Sequence, residues 1–245
     1  MVSLRPAGDH AALRRAATRE GAQLIALSPW RIEARSDDAA RAALFSALQA
    51  SRIVFTSPAA VRAALTLLPL QARSGQAWLA VGAGTARALH NAGIADPISP
   101  RRMDSHGLLA LDALRAVADT EIGLVTAPGG RGLIDTELAQ RGARIVRADV
   151  YARVPTRPAA SAITRLANNH GCLWLALSSG EALQRIEATL PPHAWRQLQR
   201  ARVAAASDRL AAQAHDCGFT GLVVAAGPGP RDLVEAMANA PHAPS

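Results

Sequence analysis

Short aliphatic runs recur along this chain, and most are followed within a few residues by an amphipathic helical pattern. The strand-like runs are VSL, QLIAL, RIVFT, AWLAV, EIGLVT, ARIVRADVY, CLWLAL, ARVAAA and GLVVAA. Helix-period segments such as AALRRAATRE, AAVRAALTLL, GTARALHNAG, GLIDTELAQRG and RDLVEAMANA follow them. Strands alternating with helices argue for parallel sheets joined by crossover helices. Strands that are apolar at nearly every position are expected where both sheet faces are covered.

The two halves read as one plan used twice. RIVFTSPAAVRAAL (Arg52 to Leu65) resembles LWLALSSGEALQRI (Leu173 to Ile186), each a strand ending in a hydroxyl pair that opens a helix. WLAVGAGTARALHNAGI is matched by RVAAASDRLAAQAHDCGF, and IGLVTAPGGRGLIDTEL by GLVVAAGPGPRDLVEAM. Two extended, Pro- and Arg-bearing stretches, SPWRIEARSDD and DVYARVPTRPAA, flank the first repeat. The expected fold is therefore two similar parallel-sheet α/β domains, flavodoxin-like, joined by a two-stranded antiparallel linker. The chain leaves a discontinuous domain of residues 1–33 and 157–245, builds an inserted domain of residues 38–148, and crosses through 34–37 and 149–156.

Length and composition bound the function. The 245 residues can bury a sizeable core, and 49% of them are hydrophobic. The formal charge is +8, and all 27 basic residues are arginine, which reads as codon bias. The arginines are spread along helix faces among acids, so no nucleic-acid partner is expected. Cys172 and Cys217 lack metal-ligand spacing, the histidines form no HxH or HxxxH pair, and no metal or cofactor is expected. Cys172, inside an apolar run, reads as a core residue. No apolar run reaches membrane-span or signal-peptide length, so the protein is expected to be cytoplasmic, off the membrane and monomeric.

In a parallel α/β sheet, ligands sit beyond the carboxyl ends of the strands, at helix N-termini. Here those turns are TSPAA, GAGT, APGGR, SSGE and AASDR. Small residues expose backbone amides and the helix dipole adds positive charge, so carboxylates or phosphates can dock there. Ser57, Gly82, Thr85, Gly129, Gly130 and Arg131 are the candidates in the first repeat. Ser178, Ser179, Ser207 and Arg209 are those in the second. The serines and threonine are also ordinary helix caps. GAGTAR lacks the third glycine of a dinucleotide fingerprint, and APGGRG lacks the lysine of a phosphate loop. Tyr151, the only tyrosine, ends a strand-like run; it is either a packed aromatic or a phenol able to donate a proton to a leaving group.

The order of motifs resembles the uroporphyrinogen-III synthase family over nearly the whole chain. The resemblance rests on Ser3-Leu4-Arg5-Pro6, TSPAAV (Thr56 to Val61), the G-x-x-T-A turn from Gly82 to Ala86, and the GGR turn with LAQRGARIV. It is completed by Tyr151-Ala152-Arg153, LSS and ASDRLA. Thr126-Ala127, Leu4 and Ser207-Asp208-Arg209-Leu210 depart from the family pattern. The resemblance implies two α/β domains with the substrate in the cleft between them and no cofactor. It implies cyclisation of hydroxymethylbilane, a linear tetrapyrrole with an acetate and a propionate on each ring, with loss of water and inversion of ring D through a spiro intermediate. Tyr151 takes the role of assisting loss of the hydroxyl, and Thr85 that of orienting the substrate. The competing reading is a non-enzymatic two-domain module binding a small anion or sugar.

Overall fold

The computed structural model describes residues 1–129 and 132–240, so Gly130 and Arg131 lie outside the described residues. Its strands are β1 (Val2–Ser3), β2 (Ile25–Ala26), β3 (Trp30–Ala34), β4 (Arg52–Phe55), β5 (Ala77–Ala80) and β6 (Glu121–Thr126). They continue with β7 (Arg144–Asp149), β8 (Tyr151–Pro155), β9 (Trp174–Leu177), β10 (Arg202–Ala205) and β11 (Leu222–Val224). The chain divides into two compact units, one of Met1–Arg31 with Val154–Ser245 and one of Ile32–Arg153. Both crossings fall inside β3 and β8, which form a separate two-stranded antiparallel sheet.

The first unit holds a five-stranded parallel sheet in the order β11-β10-β9-β1-β2. Numbered by appearance within the unit, and read from the β2 edge, this is 2-1-3-4-5, the flavodoxin arrangement, with its switch point between β1 and β9. Helix α1 (Ala11–Arg19) packs Leu13 and Ala16 with Leu233 and Val234 of α11 (Pro230–Ala238), over Ala176 and Ala204 of the sheet.

The second unit holds a four-stranded parallel sheet in the order β5-β4-β6-β7. Numbered by appearance, this is 2-1-3-4, the same order one strand shorter, with its switch point between β4 and β6. Side chains alternate across a strand, and here each face has its own core. Ile53, Phe55, Trp78 and Val125 face α2 (Asp38–Ala47) and α3 (Pro58–Leu67). Val54, Leu79, Ile122 and Leu124 face α5 (Ser105–Leu109) and α6 (Leu133–Gln140). Two covered faces explain the nearly unbroken apolar strands. Gly123 of β6 is required by space: a Cβ there would stand 2.0 Å from the Ala47 carbonyl oxygen, where α2 ends against the strand.

Three expectations are corrected. The repeat pairs β6 with β11, but β6 is interior, between β4 and β7, whereas β11 is an edge beyond β10. By position in the sheet, β4, β5, β6 and β7 correspond to β1, β2, β9 and β10. Strand-turn-helix signals are local, while strand order is set by non-local pairing, so the local likeness misaligns the units.

The run from Arg144 to Tyr151 is not one strand. β7 pairs with β6 as far as Thr126↔Asp149, and the Val150 amide closes on the Thr126 carbonyl at 3.0 Å. β6 offers nothing beyond that, and from Tyr151 the chain takes β3 as its partner. Cys172, expected in the core, is exposed; it precedes β9, and the apolar run it heads enters the interior only at Leu173.

Candidate functional site

In the second unit, every turn of interest lies at the carboxyl edge of the sheet. β4 ends at Phe55, and Thr56 and Ser57 follow it, with Ser57 as N-cap of α3. The Ser57 hydroxyl accepts from the Ala60 amide at 3.0 Å and lies 3.2 Å from the phenolic oxygen of Tyr151. Tyr151 is 4% exposed and belongs to the core cluster that the strands of this unit share with α2 and α3. Thr56 donates its hydroxyl to Thr126 Oγ1 at 2.8 Å, joining the ends of β4 and β6 across the switch point. Either oxygen can donate in this pair; with Ser57 as donor, its proton goes to the phenol. The phenol then keeps its proton for another acceptor, and the Ser57 hydrogen bond falls on the oxygen that would become anionic.

Gly82 is the N-cap of α4 (Ala83–Asn91), and Thr85 lies in that helix's first turn, 4% exposed. The Gly82 φ of −169° suits any residue, so its demand is space: a Cβ would stand 3.0 Å from Met103 Cβ. Gly129, after β6, has φ +85° in the left-handed region that favours glycine. Pro58 lacks an N–H, the Ala60 amide is taken by Ser57 and the Thr85 amide by the Gly82 carbonyl at 2.9 Å, which leaves Ala59 in α3 and Ala83 and Gly84 in α4 to offer N–H donors at this edge. Arg147 of β7 anchors the turn after β6, donating to the Ala127 carbonyl at 2.9 Å, to Asp149 at 3.1 Å and to Asp135 of α6.

In the first unit, Ser178 and Ser179 follow β9. Ser179 caps α8 (Gly180–Thr189), accepting from the Ala182 amide at 3.3 Å. Ser207 opens α10 (Asp208–Asp216) without a side-chain cap bond, and Arg209 is exposed on that helix.

The ends of β1 and β2 carry a further cluster. His10, N-cap of α1 and 7% exposed, has Nδ1 2.9 Å from Ser3 Oγ and Nε2 2.8 Å from Ser28 Oγ. Burial first, then the Arg14 charge and more weakly that of Arg5, push the imidazole below its ordinary pKa, against a smaller opposing pull from Asp9. Arg5 reaches Asp9 and the Pro228 carbonyl, both at 3.4 Å. Among the described residues, no three His, Cys, Asp or Glu side chains are grouped to hold a metal ion. Nor is any helix among them long and apolar enough to cross a membrane.

The family model described as uroporphyrinogen-III synthase HemD matches residues 11–235. The chain belongs to the uroporphyrinogen-III synthase family. It is 32% identical over 162 residues to the uroporphyrinogen-III synthase of Salmonella typhimurium, a match covering 62% of this chain and 65% of that relative's length. Its fold is like that of a mutant uroporphyrinogen III synthase from Thermus thermophilus (TM-score 0.63, 19% identity, 97% of this chain and 95% of the other). The uroporphyrinogen-III synthetase of Helicobacter pylori is similar too (TM-score 0.59, 14% identity, 97% of each chain).

Within this member of the uroporphyrinogen-III synthase family, the structure brings Ser57 and Tyr151 into contact and puts Gly82 and Thr85 at the same sheet edge. Ser178, Ser179 and Ser207 share the corresponding edge of the first unit. Gly130 and Arg131 lie outside the described residues. The sequence reading missed the Ser3–His10–Ser28 cluster, the Thr56–Thr126 bond and the Arg147 anchor. The only local sign of the first was a histidine at the start of a helix; the partners lie 7 and 18 residues away.

Proposed function

We propose that this protein cyclises hydroxymethylbilane to uroporphyrinogen III with loss of water. Family membership supports the reaction class. The single observation that carries the chemistry is the hydroxyl of Tyr151, a buried residue, held 3.2 Å from Ser57 Oγ at the carboxyl edge of β4. In this reading Tyr151 protonates the departing hydroxyl, and Ser57 stabilises the phenolate that remains. The amides of Ala83 and Gly84 between Gly82 and Thr85, and that of Gly129, meet substrate carboxylates, as do those beside Ser178, Ser179 and Ser207, with Arg209 adding a cation. Free hydroxymethylbilane closes without inverting ring D, so the enzyme's main work is to hold the chain ends in the spiro-forming geometry.

Incubating the protein with freshly made hydroxymethylbilane and resolving the oxidised uroporphyrin isomers tests this reading. The expected product is isomer III; isomer I alone, at the spontaneous rate, overturns it in favour of a binding module.

A further inference from the structure

Of the described side chains, only two ionisable groups are buried, Tyr151 and His10. Each is hydrogen-bonded to a half-buried serine two residues past the end of a parallel strand: Ser57 after β4 and Ser28 after β2. His10 is one of the residues around an open depression of about 410 Å³, with Gly8, Ala11, Arg14 and Arg15. A neutral imidazole has one donor and one acceptor nitrogen. Both contacts are met by either tautomer; in the one with the proton on Nδ1, the ring donates to the fully buried Ser3 and Nε2 accepts from Ser28. That tautomer has the hydrogen-bond order of a base that works through a serine hydroxyl and is oriented by a third group.

We propose that His10, acting through Ser28, takes up the proton released when the macrocycle closes, an inference that rests on the activity proposed above. At closure the new carbon–carbon bond forms at the free α-carbon of the terminal pyrrole, which then carries both that bond and its hydrogen. The C–H bond breaks and its electron pair restores the aromatic ring. The proton passes to Ser28 Oγ as the serine's own proton passes to Nε2. The imidazolium donates Nδ1–H to Ser3 and later gives its extra proton to water. This uptake balances the proton that Tyr151 gives to the departing hydroxyl, and no oxidant or reductant is involved. The proton lost is strongly acidic, so a weak base suffices. Burial first, then Arg14 on α1, with Arg5 in the preceding turn adding to it against the pull of Asp9, favour the neutral imidazole between turnovers. Ser28 is the residue that touches substrate, and His10 is its positioning partner.

The test is the turnover of His10→Gln and Ser28→Ala as a function of pH, with isomer III as the product measured and thermal melting in parallel. Wild type should lose kcat/KM on the acid side, below the ordinary histidine range, as His10 protonates. Glutamine keeps a donor and an acceptor but cannot take up the proton. His10→Gln should therefore lower kcat by about 100-fold with KM within about twofold, and should abolish that acid limb. Ser28→Ala, which leaves His10 on Ser3, should show the same kcat loss, and it decides the matter if His10→Gln does not fold. Wild-type production of isomer III with unchanged kcat and pH profile in both folded variants overturns the relay alone. Failure of wild type to make isomer III overturns the activity and the relay together.

Discussion

Thr56 donates its hydroxyl to Thr126 Oγ1 at 2.8 Å, and this one bond closes the carboxyl ends of the two strands that flank the switch point of the second unit. Both side chains are half-buried, so neither hydroxyl is fully compensated by water when its partner is removed. A double-mutant cycle of Thr56→Val and Thr126→Val, read by denaturant unfolding, should give a coupling of about 1 kcal/mol. A coupling near zero would mean that the two strand ends are held by the backbone ladder alone.

Tyr151→Phe keeps the ring in its core and removes only the oxygen bonded to Ser57. Turnover should fall by about 10- to 100-fold, at or below the lower limit of what a general acid usually supplies, because the substrate is already activated. Melting should change by only a few degrees. Unchanged turnover would return the residue to packing.

Gly123→Ala probes the contact between β6 and the end of α2. Its Cβ would meet the Ala47 carbonyl oxygen at 2.0 Å, and backbone cannot swing aside as a side chain can. The expected cost is about 3 kcal/mol, a melting point lower by roughly 10 °C. A melting point within a degree or two of wild type would show that α2 is free to shift.

Asp37 caps α2 through the Ala40 amide and is held by Arg35 at 2.7 and 2.8 Å. The Arg35 hydrogen bonds first, then the Ala40 amide, lower its pKa to about 2. The folded value lies below the unfolded one of about 3.9, so its stabilising effect is full above that pH and is lost as pH falls toward 2. The stability gap between wild type and Asp37→Asn should therefore narrow between about pH 4 and 2. A gap that is constant across this window would contradict the assignment.

Cys172 is exposed, whereas Cys217 is partly buried, with its thiol pKa raised by burial and by Glu187. In the native protein a thiol reagent should modify Cys172 first, and mass spectrometry of the singly labelled species identifies the site. Preferential labelling of Cys217 would reverse the assignment.

Periodicity made the element types legible. Aliphatic runs followed by amphipathic segments gave parallel sheets with helices on both faces, because the backbone dictates period 2 in a strand and 3.6 in a helix. Small and hydroxyl residues after strands marked the turns that carry Ser57, Gly82, Ser179 and Ser207, because helix starts need caps whatever the fold. The family order of those turns pointed to Tyr151. Strand order was not legible: β6 and β11 share a local pattern and take opposite places, interior and edge, because pairing partners are chosen over long chain separations. The break at Val150 was hidden for the same reason, since the chain changes partner there without changing composition. His10 finds Ser3 and Ser28, and Tyr151 finds Ser57 across 94 residues, only once the sheets have brought strand ends together. Local propensity and pattern thus determined which segments are strands, helices and turns. Tertiary pairing alone decided which of the chain's hydroxyls, one imidazole and one phenol share hydrogen bonds, because contact between residues far apart in sequence depends on how the whole sheet closes.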